Sequence, residues 1–288
     1  MKVLLTGADG QAGRALQASR PDWAEIQPVF ETELDIRDAA SVADVMSSRR
    51  PDWVINTAAY TNVDGAESHA DVALAVNARG AANLANACKS IGARMCQIST
   101  DYVFDSDRAI AIRPDRAPNP VNVYGESKRE GEDLVLSALG DGCFVIRTSW
   151  LYYQGGMNFV ETMLRVMADK GSVRVIADQF GAPTSAATLA NAIWSGIQKG
   201  AAGVHHWQDA GIASWYDFAV AIAEIGFAMG RLDKLPVVTP ISTEEYPTPA
   251  RRPVFSVLDT RHTERDFEIE ARHWRYELER MMEQLADA

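Results

Sequence analysis

Cysteine is scarce. The 288 residues hold three, Cys88, Cys96 and Cys143, scattered and with no C-x-x-C spacing. Nothing in that pattern builds a disulfide framework, and two of the three sit in apolar runs, so they read as reduced, structural thiols of a cytoplasmic protein. Positive charge is also in short supply. Lys and Arg number 28 against 39 Asp and Glu, a net charge of -11. This argues against a nucleic-acid surface and against binding to acidic membranes. An anionic ligand would need a local cluster of positive groups or backbone amides. No uncharged apolar stretch of about 18 residues exists, so no transmembrane helix is expected. The opening Met1–Gly7 run is too short for a signal peptide and is interrupted by glycine. Repeats and low-complexity segments are missing. So is any H-E-x-x-H pattern, and Ser149 lacks a G-x-S-x-G frame, leaving hydrolase chemistry unsupported. His205-His206 would point to opposite faces of a strand. They cannot chelate together and read as structural, so no metal ligand is predicted.

What is present is an ordinary apolar fraction, 47%, in a chain long enough for one large domain or two smaller ones. Strand-like runs alternate with helical ones. Lys2–Thr6, Ile26–Val29, Trp53–Asn56, Arg94–Ser99 and Cys143–Arg147 read as strands. Helices are expected after Gly13, over Ala39–Arg49 behind a cap at Asp35–Asp38, over an Ala-rich stretch at Asp71–Ile91, and around Tyr124. This alternation predicts an α/β fold with a doubly wound parallel sheet. Residues 1–150 form the expected dinucleotide-binding domain, with segments returning from 178–206. Residues 151–288, richer in tryptophan and proline, read mostly as a smaller mixed α/β domain covering the first. Ligands in such sheets bind beyond the carboxyl ends of the strands. Gly7–Gly13, Thr57–Thr61, Ser99–Asp101 and Thr148–Trp150 all follow predicted strands.

Gly7-x-x-Gly10-x-x-Gly13, after a strand and before a helix, is a dinucleotide-loop signal. The glycines let the backbone approach a pyrophosphate, and the helix N-terminus supplies amides. Glu31 and Asp35 fall near the position where an acidic residue meets the adenosine ribose, and no arginine occurs there before Arg37. That leans toward NADH over NADPH. Tyr124-Gly-Glu-Ser-Lys128 puts a phenol and an ammonium on one helix face. A lysine beside a tyrosine favours the phenolate and makes the tyrosine a usable acid or base. Ser99-Thr100-Asp101 offers a hydroxyl at a strand end, where it can face the same carbonyl. Arg251-Arg252, between prolines, is a candidate diphosphate clamp.

These strings, with Ala58-Ala-Tyr-Thr61, Val63-Asp-Gly-Ala-Glu67, Ser99-Thr-Asp-Tyr-Val-Phe104, Arg147-Thr-Ser-Trp150, Asp178-Gln-Phe-Gly-Ala-Pro-Thr184 and Tyr246-Pro-Thr-Pro-Ala-Arg-Arg-Pro253, resemble the dTDP-4-dehydrorhamnose reductase family of extended short-chain dehydrogenases/reductases. The resemblance spans almost the whole chain. It implies a Rossmann sheet and NAD(P)H-dependent reduction of the C4 carbonyl of dTDP-4-dehydro-β-L-rhamnose, the last step of dTDP-rhamnose synthesis for surface polysaccharide. By position, Tyr124 donates the proton, Lys128 holds the nicotinamide ribose and tunes Tyr124, and Thr100 hydrogen-bonds the sugar carbonyl. Thr100, Asp101 and Trp150 contact the sugar. Gly7, Gly10, Gln11, Ala12, Gly13, Asp35, Ile36, Ala59, Tyr60 and Thr61 line the cofactor. Some members are described with Mg²⁺ bridging a homodimer through acidic side chains, one of them on the first helix. Here that helix begins Arg14-Ala-Leu-Gln17, so the metal and that mode of dimerisation lack support. The alternatives are another nucleotide-sugar 4-ketoreductase or epimerase of the same fold, or a non-catalytic NAD(P)-binding regulatory subunit.

Overall fold

The computed structural model describes residues 1–285. At its centre, β1 (Lys2–Thr6), β2 (Glu25–Val29), β3 (Trp53–Asn56), β4 (Arg94–Thr100), β5 (Cys143–Thr148) and the strand Gly203–His206 form one sheet. Its order is β2-β1-β3-β4-β5-(203–206), and every pairing in it is parallel. The chain steps from β1 outward to β2, then returns to place β3 on the other side of β1. The crevice outside this switch point is where such sheets bind ligands.

The strands are nearly continuous apolar runs because helices cover both faces. Alternate residues go to opposite sides. Val3, Leu5, Ile55 and Cys96 join Leu16 of α1 (Gln11–Ala18) and Ile193 of the helix Ala186–Lys199 in one core. Leu4, Val54 and Met95 join Met46 of α2 (Ala39–Arg49), Leu84 and Val135 in the other. The three cysteines are buried in this packing, and burial pushes the Cys88 thiol up to about 12, as befits an inert side chain.

Most elements fall within two residues of the expected spans, and α2 begins where expected because Asp38 accepts from the Ala40 and Ser41 amides. Three features differ. The Ala-rich helix is divided: Ala70–Leu74 and Ala81–Ile91 flank a π-helical turn, Ala75–Gly80. The turn carries Asn77, whose side chain accepts from the Tyr60 amide and donates to the Tyr60 carbonyl and to Ser127. Inside the proline-rich stretch, Val237–Ile241 pairs parallel with Ser172–Ile176. Pro240 is tolerated because this two-stranded sheet leaves the strand an open side. A helix, Arg261–Phe267, was hidden by its charged sequence. Among the described residues, no helix is long and apolar enough to cross a membrane.

Candidate active site

The loops after β1, β3, β4 and β5 open onto one cavity of about 870 Å³. Its first wall is the glycine loop. Gly7 has φ +64°, and a Cβ there would lie 2.7 Å from the Ala58 amide nitrogen. Only glycine lets the chain turn this close to the neighbouring loop. Gly10 caps α1 without a side-chain hydrogen bond, and the first turn of α1 carries no acidic residue. The amides and positive end of α1 are therefore free to face an anion. Gly7, Gly10, Gln11 and Ala12 line the cavity, whereas Gly13 does not. Gly13 lies beneath the loop, where a Cβ would meet the Gly7 carbonyl at 2.5 Å.

Asp35, Ile36, Ala59, Tyr60 and Thr61 line the same cavity. Arg37 joins them, and its guanidinium pairs with Asp35 at 2.6 Å. That pairing holds the Asp35 carboxyl below the usual carboxylate range. The acidic residue and the arginine thus occupy one rim together.

Tyr124 and Lys128 come from the helix Val123–Leu139. Asn122 caps it by accepting from Gly125 N at 2.8 Å. The helix sits hard against the loop after β4, and a Cβ on Gly125 would fall 2.2 Å from the Tyr102 carbonyl oxygen. Its far side is fixed by Glu132, which receives two hydrogen bonds from Arg147 of β5 at 2.8 and 2.6 Å. Both side chains are buried.

Thr100, Asp101, Tyr124, Lys128 and Trp150 all line the cavity. Burial pushes the Tyr124 phenol up to about 12, partly offset by a hydrogen bond with Thr100. Lys128 is lowered to about 8 by burial and donates from Nζ to the Ile98 carbonyl at 2.7 Å. Burial is the largest influence on the Tyr124 phenol and outweighs the hydrogen bond that would lower it. Tyr124 keeps its proton at neutral pH, the state a proton donor needs. Burial also raises Asp101 to about 7, opposed by hydrogen bonds with Ser256 and Thr100.

Several polar atoms here are buried and have no hydrogen-bond partner among the described residues: Gln11 Oε1, Ser99 Oγ, Asp101 Oδ2 and Thr148 Oγ1. Such groups carry a desolvation cost unless a ligand satisfies them. With the close backbone approach at Gly7, they fit a polar dinucleotide and a hydroxylated substrate.

Trp150 is held in the left-handed region, φ 43°, and stacks on Trp215 at 3.6 Å with planes 8° apart. Both rings line the cavity. Trp215 opens the helix Trp215–Ala228, and nothing in its sequence neighbourhood pointed to a site. Asn158 was missed for the same reason, whereas Thr148 opens the post-strand segment Thr148–Trp150 already marked and Tyr102 directly follows Asp101. Arg251 and Arg252 are not among the lining residues. Arg251 pairs with Asp105 at 3.1 Å, and Arg252 with Asp64 at 2.8 Å. The Arg252 guanidinium also partly offsets the burial that raises the Tyr102 phenol, and Tyr102 does line the cavity.

A doubly wound parallel sheet, a glycine loop at its switch point, and a tyrosine, lysine and threonine facing one crevice define the class of extended short-chain dehydrogenases/reductases. The model for the RmlD substrate binding domain matches residues 1–287. The dTDP-4-dehydrorhamnose reductase of Burkholderia thailandensis is 38% identical over 287 residues, with 96% of each chain covered. The crystal structure of the Clostridium acetobutylicum dTDP-4-dehydrorhamnose reductase superposes with a TM-score of 0.93 at 39% identity, covering 99% of this chain and 100% of that one. That of Bacillus anthracis, solved in complex with NADP, gives 0.92 at 37% identity, covering 98% and 99%. The chain belongs to the dTDP-4-dehydrorhamnose reductase family.

Proposed function

We propose that this protein reduces the C4 carbonyl of dTDP-4-dehydro-β-L-rhamnose to give dTDP-β-L-rhamnose, using NADH or NADPH, in the cytoplasm. The observation that carries this reading is the convergence of Thr100, Tyr124 and Lys128 on the cavity that the glycine loop opens. The glycine loop, Asp35 and Ile36, and Ala59–Thr61 would hold the dinucleotide, with Lys128 toward the nicotinamide ribose. When bound, the reduced nicotinamide supplies the hydride. The chain's own part is to place and protonate the sugar. Thr100 donates a hydrogen bond to the carbonyl oxygen as negative charge develops there, and Tyr124 gives that oxygen its proton. Asp101 and Trp150 bear on the sugar. NAD(P)H oxidation against a panel of dTDP-4-keto sugars, with product stereochemistry determined, tests the reading. The rhamnose precursor should turn over best. Faster turnover of another keto sugar would point to a different ketoreductase or an epimerase, and no turnover of any would point to a regulatory subunit. A homodimer belongs to this proposal through the resemblance alone, and a solely monomeric species in sedimentation velocity would remove it.

The Asp35–Arg37 pair bears on the cofactor. A carboxylate at the ribose rim disfavours a 2′-phosphate, while a guanidinium accommodates one. With both present, the lean toward NADH is blunted, and kcat/KM for NADH and NADPH should agree within about tenfold, ~1.4 kcal/mol. Arg37→Ala should then lower kcat/KM for NADPH while sparing NADH. Equal losses for both cofactors would mean that Arg37 does not meet the phosphate.

Arg251 and Arg252 are proposed as the diphosphate clamp, which requires them to exchange Asp105 and Asp64 for the ligand. Replacing both by Ala should raise KM for the sugar nucleotide by at least about tenfold, since charged hydrogen bonds are worth ~1.5–3 kcal/mol each, and should raise the cofactor KM less. A matched rise in both constants would assign the pair to packing of this segment instead.

A further inference from the structure

Away from the cavity, three side chains that share no sequence motif come together. His205 lies on the edge strand Gly203–His206, and His262 and Asp266 lie on the helix Arg261–Phe267. One nitrogen of each imidazole and one carboxylate oxygen are all within 4.8 Å of one another. His262 and Asp266 are four residues apart on one helix face, with Nε2 and Oδ2 3.1 Å apart. The imidazoles of His205 and His262 lie nearly parallel, with centroids 5.8 Å and planes 11° apart.

His205 gives the cluster its direction. The residue is 4% exposed. Its Nε2 lies 3.0 Å from the Ala202 carbonyl oxygen. A carbonyl only accepts, so Nε2 carries the proton and Nδ1 carries the lone pair. That Nδ1 is buried and has no hydrogen-bond partner among the described residues. Metal-bound histidines share this arrangement, in which one ring nitrogen donates to a backbone carbonyl and the other holds the ion.

We propose that His205, His262 and Asp266 form a Zn²⁺ site, with His205 Nδ1, an imidazole nitrogen of His262 and a carboxylate oxygen of Asp266 as ligands and water completing the shell. Two imidazoles and one carboxylate suit Zn²⁺, whereas Mg²⁺ and Ca²⁺ prefer oxygen donors throughout. Arg265 is the opposing charge. It contacts His262 Nδ1 and the other carboxylate oxygen, Asp266 Oδ1, but its side chain is 69% exposed and can turn into solvent. The ion would clasp the helix Arg261–Phe267 to the edge of the central sheet. Its role is structural, because none of the three ligands lines the cavity.

The experiment titrates EDTA-treated, dialysed full-length protein with ZnCl₂ by calorimetry, with thermal melting and the Co²⁺ absorption spectrum as further readouts. Saturable binding, a raised Tm and a Co²⁺ spectrum of tetrahedral type are expected. His262 is half-exposed, so His262→Ala should fold and keep its reductase activity. Zn²⁺ affinity should fall at least about tenfold in that variant and in Asp266→Asn, as loss of a ligand demands. Unchanged affinity in His262→Ala, or no saturable binding in the wild type, would overturn the proposal. MgCl₂ raising Tm as much as ZnCl₂ would overturn the assignment to zinc.

Discussion

Tyr124→Phe should cost this enzyme ~10²–10⁴-fold in kcat, the usual worth of a positioned general acid, while the dissociation constant of the reduced cofactor stays nearly the same. The ring's packing is preserved: it meets Tyr102 edge-on at 5.9 Å, and phenylalanine keeps that contact. Only the hydroxyl that interacts with Thr100 is lost. Because burial raises the phenol, the wild type holds a proton ready across the neutral range, and no neighbour on the helix Val123–Leu139 can replace it. Lys128 is tied to the Ile98 carbonyl. Single-turnover rates with saturating sugar nucleotide, beside a fluorescence titration of the cofactor, make the measurement. A kcat within about threefold of wild type would remove Tyr124 from the donor role.

Arg147→Met should destabilise the protein by ~3–5 kcal/mol, the cost of leaving one member of a buried ion pair alone. That is a large share of the ~5–15 kcal/mol that holds a typical domain together. Arg147 and Glu132 have side chains 4% and 1% exposed, joined by two hydrogen bonds. Arg147 also reaches His206 Nε2 at 3.4 Å and covers the Phe104 ring at 4.9 Å. Removing the guanidinium takes both hydrogen bonds from the buried Glu132 carboxylate on the helix that carries Tyr124. The cost should appear in the denaturant midpoint and in kcat together, since that helix would shift against β5. Adding Glu132→Leu to the same chain should recover much of the stability, because a buried pair exchanged for apolar groups is often close to neutral. A double variant weaker than Arg147→Met alone would mean that the lost packing on Phe104, rather than the stranded charge, set the first loss.

The sequence made the sheet legible because parallel strands covered on both faces are short apolar runs, and β1, β3 and β5 differ from their expected spans by at most one residue. The glycine loop and the Tyr124–Lys128 spacing were legible because each is local, a turn or one helix face. What stayed hidden is made by contacts across long separations. The π turn around Asn77 depends on Tyr60 and Ser127, the latter 50 residues away. Trp215 belongs to the site only because it stacks on Trp150. Arg37 was passed over because its value depends on facing Asp35 at the rim rather than on its place in a string. His205 was taken as one of an adjacent pair, whereas its partners lie on a helix that begins more than fifty residues later.

The link between Arg252 and Asp64 spans 188 positions of the chain, and the strand Gly203–His206 completes the central sheet from the outside. A ribosome delivers the chain in order, so the glycine loop, Thr100 and Tyr124 emerge long before the segments that brace them. Contacts of this range make folding slow. During synthesis the half-built sheet waits with an open β5 edge, a surface on which other strands can pair. A nascent chain stalled before Gly203 should therefore be recovered as an aggregate or with a chaperone, and the full-length chain as a folded enzyme.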